Sequence, residues 1–380
     1  MEGSTTLKSY LEQNHSFLKN VVSFSPEDLL ERITEFDLYD IKHEDKQIIE
    51  KIIEHINSTN TMPIWWSEQE SSYLKKISSH EQTIKYLIFR YKFRTYPMQM
   101  VPTKFPIYVL LEPVSACNLR CPFCFQTDPD FTRKPYAGIM DMNLFKRVID
   151  ECEQNGTGAI TLASRGEPTL HPKFTEMLDY AANKFFELKI NTNGTRLTEK
   201  LCHSIFKNGV NDVVLSIDTE QKELFEKLRK HANFDEVVQN VQNLYRIREE
   251  FYPDSNTAIR ISGVYCGPDQ DNEKFSQFWG QWSDEITIAE VEERWDTYKN
   301  PIQPDFSTPC QNVWERFYVW WDGVCNPCDV DYKSELSPGT LNDSNSIKDI
   351  WNSKVYKLLR LNHENGMRSG CFPCDRCGVS

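Results

Sequence analysis

The chain has 380 residues, of which 39% are hydrophobic and 12% aromatic, so it can build a large core and is not disordered throughout. With 43 basic and 56 acidic residues its net charge is −13, whereas a general nucleic-acid binder would usually be basic, so we expect no nucleic-acid partner. No apolar run approaches the ~20 residues of a membrane span, and no signal peptide is visible. These features predict a cytoplasmic protein with no membrane partner.

Twelve cysteines make the chain unusual. A disulfide framework would require secretion, which nothing in the sequence supports. Most of the cysteines lie in tight clusters, at 117/121/124, 325/328 and 371/374/377. Close clusters in an intracellular protein indicate metal or iron–sulfur ligands.

Residues 1–104 are predicted to form a helical N-terminal region. Ser25-Pro26-Glu27-Asp28 has the pattern of a helix start, with Ser as the N-cap, Pro at the first helical position and acids in the first turn. Isoleucines between 48 and 56 recur on one face of a second helix, and further helical turns are expected over 71–91. We identify no catalytic or ligand-binding motif in this region, and we interpret it as a helical cap on the segments that follow.

Residues 105–290 alternate between strand-like and helix-like segments. The predicted strands are 107–112, 159–163, 188–192, 212–217, 258–264 and 285–289. The predicted helices are 142–154, 173–184, 198–208, 220–229, 234–250 and 272–281. Six such β–α alternations predict an α/β fold whose parallel strands curl into a full or partial (β/α)6 barrel. The loops that follow the strands should then form the active face.

The alternation stops near 290. Residues 291–309 resemble a linker, and a compact segment follows at 310–380. Within it, 316–321 and the turn at Asp322-Gly323 predict a hairpin. A single helix is expected over 347–361, and its inward-facing residues should be Ile347, Ile350, Trp351, Val355, Leu358 and Leu359.

The first cysteine cluster has the spacing CxxxCxxC, formed by Cys117, Cys121 and Cys124 directly after the first strand. Three thiolates this close can ligate three irons of a 4Fe–4S cube and leave the fourth iron open. A structural zinc site would require four closed ligands. Buried thiols or a zinc site remain the alternative interpretation.

This motif in this place resembles the radical SAM superfamily, and the resemblance extends over roughly 105–290. It implies a cluster whose open iron chelates the amino and carboxylate groups of S-adenosylmethionine (SAM). Electron transfer into the sulfonium would then yield a 5′-deoxyadenosyl radical. An external electron donor such as flavodoxin or ferredoxin is implied as a partner.

Further segments match the family after the expected strands. Arg165-Gly166-Glu167-Pro168 is similar to the family's Gly-Gly-Glu motif, with Arg165 as a departure from it. Asn191-Thr192-Asn193-Gly194 is like the family's strand-3 turn. By resemblance the cofactor-binding residues are Phe123, which would pack on the adenine, and Gly166, Glu167, Asn193, Ser216, Asp218 and Arg229. Of these, Ser216 and Arg229 would contact the SAM ribose and carboxylate.

The later cysteines resemble a SPASM domain, an auxiliary-cluster extension of radical SAM enzymes. That resemblance implies one auxiliary 4Fe–4S cluster, giving two clusters in all, held by Cys310, Cys328, Cys374 and Cys377. A Cx2Cx5Cx3C run for a second auxiliary cluster is absent, which argues against the sulfatase-maturing branch. A structural zinc site is the alternative.

The remaining cysteines have different expected roles. Cys152 and Cys202 are predicted to be core thiols. Cys266 follows the fifth strand at the predicted barrel mouth, where it is either an ordinary rim thiol or a catalytic hydrogen-atom donor. Cys325 and Cys371 are rival donors or spare ligands.

The sequence therefore predicts hydrogen-atom abstraction from an unactivated carbon, with several possible outcomes. The favoured outcome is dehydrogenation of a carbohydrate- or aminocyclitol-like alcohol, with the auxiliary cluster as electron acceptor. The alternative is epimerisation or crosslinking of a ribosomally made peptide. The 1–104 region lacks signs of a leader-binding winged helix, which favours a small-molecule substrate over a peptide. A non-catalytic electron-transfer protein is a more remote possibility.

Overall fold

The protein is described here by a computed structural model that covers residues 15–18, 24–39, 41–290, 297–302 and 307–378. The chain forms two compact units. The smaller is Asn20–Thr103, and the larger combines Met1–Lys19 with Lys104–Ser380. None of the helices in these described ranges is long and apolar enough to cross a membrane.

The described part of the smaller unit contains four helices joined by short turns and loops. Its helices are α1 (Pro26–Thr34), α2 (His43–Thr59), α3 (Glu68–Lys76) and α4 (His80–Thr95). The predicted start of α1 is confirmed, because the Asp28 backbone N–H donates to the Ser25 hydroxyl at 3.0 Å and the Ser25 N–H donates back to the Asp28 carboxylate. Buried isoleucines of α2, among them Ile49 and Ile52, supply the core.

The larger unit contains one ten-stranded sheet. Its strands are β1 (His15–Leu18), β2 (Tyr108–Leu111), β3 (Ala159–Leu162), β4 (Glu187–Thr192), β5 (Asp212–Ser216), β6 (Ala258–Tyr265), β7 (Glu285–Glu290), β8 (Phe317–Val319), β9 (Val324–Asn326) and β10 (Gly339–Thr340). Its helices are α5 (Met142–Gln154), α6 (Phe174–Ala181), α7 (Glu199–Lys207), α8 (Lys222–Leu228), α9 (Phe234–Phe251), α10 (Asn272–Trp279), α11 (Asn312–Glu315), α12 (Ile347–Trp351) and α13 (Lys354–Glu364).

The six predicted parallel strands are confirmed as β2 to β7, each paired with the next in sequence. The spatial order β1-β7-β6-β5-β4-β3-β2-β8-β9-β10 is open, so the barrel is partial. Strand β1 pairs antiparallel with β7 and was not predicted. Because β2 to β7 run in one direction, the loops after them gather at one edge of the sheet.

The C-terminal segment continues the same sheet. Strand β8 lies parallel to β2, and the predicted hairpin is confirmed by the antiparallel pair β8–β9. The chain turns at Gly323, whose φ of 85° favours glycine. The segment therefore adds its hairpin directly to the first barrel strand.

The single helix expected over 347–361 is wrong in one respect. The chain breaks between α12 and α13, where the Ser353 hydroxyl caps the second helix by accepting from the Tyr356 N–H. This break shifts the helical phase, so Val355 and Leu358 are 56% and 57% exposed instead of facing inward. The prediction was wrong because it extended one helical periodicity across the Ser353 N-cap.

Candidate active site

The three cysteines of the CxxxCxxC motif lie in the loop after β2. Cys121 is buried, and Cys117 and Cys124 are half-buried. Burial raises the pKa of Cys117 to about 12 and that of Cys124 to about 11. Charge repulsion from Cys121 raises both values further, and Cys124 also raises that of Cys117. All three donors are thiols, which is the chemistry that iron–sulfur clusters select. The residues present therefore fit such a cluster.

The loop after β3 packs against the backbone that leads into this motif. A Cβ on Gly166 would lie 2.2 Å from the Val114 carbonyl oxygen and 2.5 Å from that of Ala116. The Glu167 N–H donates to the same Ala116 oxygen at 3.0 Å. Only glycine permits this approach, which gives Gly166 a physical role beside its predicted one.

Glu167 is buried and its carboxylate is held by neighbouring loops. One oxygen accepts from the Thr169 and Thr192 hydroxyls, each at 2.6 Å, and the other accepts from the Asn193 N–H at 2.8 Å. Burial raises the pKa of Glu167, while these hydrogen bonds favour the charged form. The loops after β3 and β4 are thereby joined.

The Asn193 side chain connects the β4 loop to the cysteine motif. Its amide nitrogen donates to the Asn118 side-chain Oδ1 at 2.9 Å and approaches the Cys117 Sγ at 3.8 Å. Its own oxygen accepts from the Thr195 N–H at 3.0 Å. Ser216, the last residue of β5, is half-buried beside its strand partner Ser262 and makes no such link in the described residues.

Asp218 and Arg229 form a buried, bidentate ion pair. The guanidinium donates to the two carboxylate oxygens at 2.5 and 2.7 Å. Its third nitrogen lies 3.9 Å from the Cys121 Sγ, and its carbon lies 5.4 Å from the centroid of the Phe123 ring. Burial disfavours the charge, but Asp218 and Cys121 outweigh it and raise the pKa of Arg229. Four predicted site residues thus meet at one point.

Cys266 lies at the same edge, directly after β6. Its thiol is half-buried and donates weakly to the Val264 carbonyl at 3.8 Å. Burial raises its pKa to about 11, and Asp218, Arg229 and Cys121 all contribute electrostatically. The thiol is therefore protonated at neutral pH.

The four proposed auxiliary ligands, Cys310, Cys328, Cys374 and Cys377, influence one another electrostatically. Burial raises the pKa of Cys310, Cys328 and Cys374, and repulsion within the group adds to it: Cys374 acts on Cys328, and Cys377 acts on Cys310 and Cys374. The donor set is again all sulfur and fits an iron–sulfur cluster. The described His, Cys, Asp and Glu side chains include no group of three arranged around a single metal ion.

Two residues beside this group were not foreseen. The Cys310 N–H donates to the His363 Nδ1 at 3.1 Å, and burial lowers the pKa of His363 to about 4, so the imidazole is neutral. The buried Arg368 guanidinium donates to the Cys377 carbonyl at 3.4 Å and acts electrostatically on Cys310. The sequence offered no signal for either, because both lie outside the cysteine motifs.

The remaining cysteines differ in where they are buried. Cys152 and Cys202 are fully buried in the main core, which confirms them as core thiols. Cys325 is fully buried there too, so it cannot reach a substrate as the expected rival donor. Cys371 is buried, accepts from the Asn362 amide at 3.4 Å and interacts electrostatically with Cys374, so it stays a candidate spare ligand.

Sequence reasoning treated Arg165 only as a departure from a motif, but the structure buries it in an ion pair. Its Nε and Nη2 donate to the two oxygens of Glu112 at 2.6 Å each. A signal was available in Glu112, which ends a strand that reads as buried. A buried carboxylate requires a partner.

Comparison with protein families identifies two domains in the chain. The model of the Radical SAM superfamily matches residues 111–276, and that of SPASM, an iron–sulfur cluster-binding domain, matches residues 310–378. The chain belongs to the radical SAM superfamily and carries a C-terminal SPASM domain. The first domain implies SAM and a 4Fe–4S cluster, and the second implies additional iron–sulfur ligation.

Individual relatives match over part of their length. The tungsten-containing aldehyde ferredoxin oxidoreductase cofactor-modifying protein of Pyrococcus furiosus is 32% identical over 144 residues, which are 38% of this chain and 39% of that protein. Mycofactocin maturase MftC of Mycobacterium tuberculosis is 32% identical over 139 residues, which are 37% and 34%. The chain therefore spans about two fifths or less of these relatives.

A solved structure shares the fold. Streptococcus suis SuiB bound to S-adenosylmethionine superposes with a TM-score of 0.54 at 15% identity, covering 89% of this chain and 84% of that one. At this identity the likeness concerns the fold alone.

Proposed function

We propose that the protein cleaves SAM reductively and dehydrogenates a carbohydrate- or aminocyclitol-like alcohol. When bound, SAM and the catalytic cluster supply the radical that abstracts a hydrogen atom. A cluster held by the four auxiliary cysteines would accept the electron that the substrate radical loses, while the hydroxyl proton would pass to solvent. A cytoplasmic location and an external donor such as flavodoxin or ferredoxin belong to the same proposal.

The proposal is carried by the placement of the second cysteine group. Cys310, Cys328, Cys374 and Cys377 lie in the segment whose strand β8 pairs directly with β2, the strand that leads into the CxxxCxxC loop. Four thiolates close the coordination of a cluster, so it would exchange electrons and not bind substrate. An electron acceptor beside the barrel supports a net oxidation.

Within the site, the chain's own residues have assignable tasks. Arg229, held by Asp218, offers a fixed positive charge to an anionic group of the cofactor, and Phe123 offers a flat apolar face. Asn193 and Glu167 fix the intervening loops by the hydrogen bonds described above. These contacts preorganise the cofactor-binding edge before any ligand arrives.

Cys266 is the residue that separates dehydrogenation from epimerisation. A thiol that inverts a carbon centre must deliver its hydrogen from the face opposite the abstracting radical, whereas dehydrogenation needs no such thiol. The half-buried Cys266 thiol donates to the Val264 carbonyl at 3.8 Å, and its N–H donates to the Gln270 side chain. These local contacts support the role of an ordinary rim thiol.

A second candidate is modification of a ribosomally made peptide, by epimerisation or crosslinking. It is favoured by the similarity to MftC, whose name describes a maturase. Against it, the described residues of the Asn20–Thr103 unit contain four helices and no strand, unlike a winged helix with its three-stranded sheet.

The deciding experiment supplies the iron-loaded protein with reductant, SAM and panels of deuterated alcohols and peptides. We expect deuterium in 5′-deoxyadenosine with an alcohol and a product two hydrogens lighter. Cys266→Ala should turn over nearly as wild type. A product of unchanged mass that carries one solvent deuterium, lost in Cys266→Ala, would replace dehydrogenation by epimerisation. No 5′-deoxyadenosine under any condition would favour a non-catalytic electron-transfer protein.

A further inference from the structure

Several contacts hold the Arg165 side chain at the active edge. It is 3% exposed, and its two bonds to Glu112 use only part of the guanidinium. The remaining nitrogen, Nη1, donates to the Tyr332 carbonyl at 2.8 Å. The guanidinium carbon lies 4.1 Å from the centroid of the Trp320 ring. The planar guanidinium of Arg165 therefore donates hydrogen bonds from its edges and stacks its face on the Trp320 ring.

The partners of Arg165 come from two distant parts of the sequence. Glu112 directly follows β2, whereas Trp320 and Tyr332 belong to the SPASM segment. Glu112 also accepts from the Trp321 N–H at 3.4 Å. Arg165 therefore ties the β3 loop to the SPASM segment through the end of β2.

The same loop carries residues that resemble SAM ligands. Arg165 directly precedes Gly166 and Glu167, and its carbonyl accepts from the Gln126 amide at 2.5 Å. Gln126 lies two residues after Cys124 and also donates to the Ser115 carbonyl at 2.7 Å. Fixing Arg165 thus fixes the loop against the cysteine motif.

The residue before Arg165 shows that the loop is held under strain. Ser164 has a φ of 103°, and its buried hydroxyl has no hydrogen-bond partner in the described part of the chain. A non-glycine residue keeps such a conformation only where its surroundings over-determine it. Arg165 and Gly166 directly follow Ser164, and the contacts of the first and the close packing of the second supply that constraint.

We propose that Arg165 is a positioning residue through which the SPASM segment sets the conformation of the SAM-binding loop. The inference rests on the SAM-binding part of the proposed function and is independent of the substrate. It makes two linked predictions: disturbing Arg165 weakens SAM binding, and SAM binding rigidifies the 320–332 segment.

The test compares three variants of the iron-loaded protein. Arg165→Lys keeps a charge but loses the fork. The double variant Arg165→Met/Glu112→Gln removes both charges, so that no unpaired buried charge remains. Arg248→Lys is the matched control, because Arg248 forms an equally forked pair with Asp284 that is not part of the site.

We expect both Arg165 variants to load iron as the control does and to require about ten to a hundred times more SAM, since small displacements of positioning groups have effects of this size. Two readouts report this: equilibrium SAM binding and the KM for SAM, with a smaller change in kcat. In wild type, SAM should also slow amide hydrogen exchange over 320–332, and this effect should shrink in Arg165→Lys.

Three results would overturn the inference. The first is that the iron-loaded Arg165 variants bind SAM as tightly as wild type. The second is that Arg248→Lys loses as much SAM affinity as they do. Failure of both Arg165 variants to load iron while the control loads it would make Arg165 a folding residue instead. Absence of SAM binding by wild type is a separate result, which refutes the proposed function.

Discussion

At the scale of single residues, the site depends on charges that are buried only because they are paired. The Asp218 side chain is fully buried and also accepts from the Val264 N–H at 3.0 Å. Arg229 therefore has one available position, between Asp218, Cys121 and Phe123. Removing one partner of such a pair leaves the other uncompensated in the interior.

We predict that Asp218→Asn destabilises the protein by about 3–5 kcal/mol and weakens SAM binding, because Arg229 keeps its charge and loses its counter-ion. The matched control is Asp235→Asn, which breaks the exposed pair with Lys222 and should change stability little. Denaturant titration measures both. A stability of Asp218→Asn equal to that of the control would contradict the importance of this pair.

Gly166 allows a second prediction at this scale. In Gly166→Ala the new methyl group would overlap the Val114 and Ala116 carbonyl oxygens, and backbone cannot yield as a side chain can. We expect destabilisation of about 1–3 kcal/mol together with loss of SAM affinity. Gly370→Ala is the control, since a Cβ there meets nothing within 4 Å. Normal SAM binding by a folded Gly166→Ala would show that the loop tolerates rearrangement.

At the scale of elements, hydrophobic periodicity predicted which segments form strands. The predicted strand 159–163 corresponds to β3 (Ala159–Leu162), and 285–289 corresponds to β7 (Glu285–Glu290), because these runs are bounded by turn residues. Periodicity carries no information about distant partners. The pairing of β8 with β2, and of Arg165 with Glu112, joins residues far apart in sequence and could not be read from it.

The sequence analysis did not predict strand β1 or the break between α12 and α13, and each failure has a local cause. Strand β1, His15-Ser16-Phe17-Leu18, lacks the run of apolar and β-branched residues that marks the equally short β2 and β3. The break before α13 depends on Ser353 acting as the N-cap. Serine also occurs inside helices without capping them, so its presence alone does not mark a helix start. The cysteine loops, in contrast, were located correctly because metal-ligand spacing is a strong local signal.

The seating of the β8–β9 hairpin provides an element-scale prediction. Trp321 follows β8, donates to the Tyr136 carbonyl at 2.8 Å and covers Gly138, where a Cβ would lie 2.4 Å from the indole ring. Gly138→Ala should displace the indole, lower the free energy of unfolding by about 1–3 kcal/mol and reduce iron at the auxiliary site more than at the catalytic site.

Thermal unfolding and iron analysis of Gly138→Ala, compared with Gly370→Ala, measure this effect. If the two variants retain the same iron and unfold at the same temperature, Trp321 does not seat the hairpin.

At the scale of the whole molecule, the sheet brings two groups of cysteines into one compact unit. The CxxxCxxC loop follows β2, and the auxiliary cysteines follow and flank strands that extend the sheet from β2. The two sites therefore share a framework even though their ligands span residues 117 to 377. Disturbing one group need not unfold the other, because each is closed by its own loops.

This arrangement predicts the metal content. Seven ligand cysteines imply two 4Fe–4S clusters and about eight irons per chain when both are full. Replacing Cys310, Cys328, Cys374 and Cys377 together should remove about half of the iron and leave a cluster at the CxxxCxxC motif, since the β2 loop is held by Gln126 and Gly166 and not by the auxiliary thiols.

Replacing Cys117, Cys121 and Cys124 should remove the other half and abolish 5′-deoxyadenosine formation. Iron analysis and electron paramagnetic resonance of the anaerobically purified variants measure both outcomes. Stoichiometric zinc in place of the auxiliary iron would show that these four thiols form a structural zinc site, and the proposed electron acceptor would then be lost.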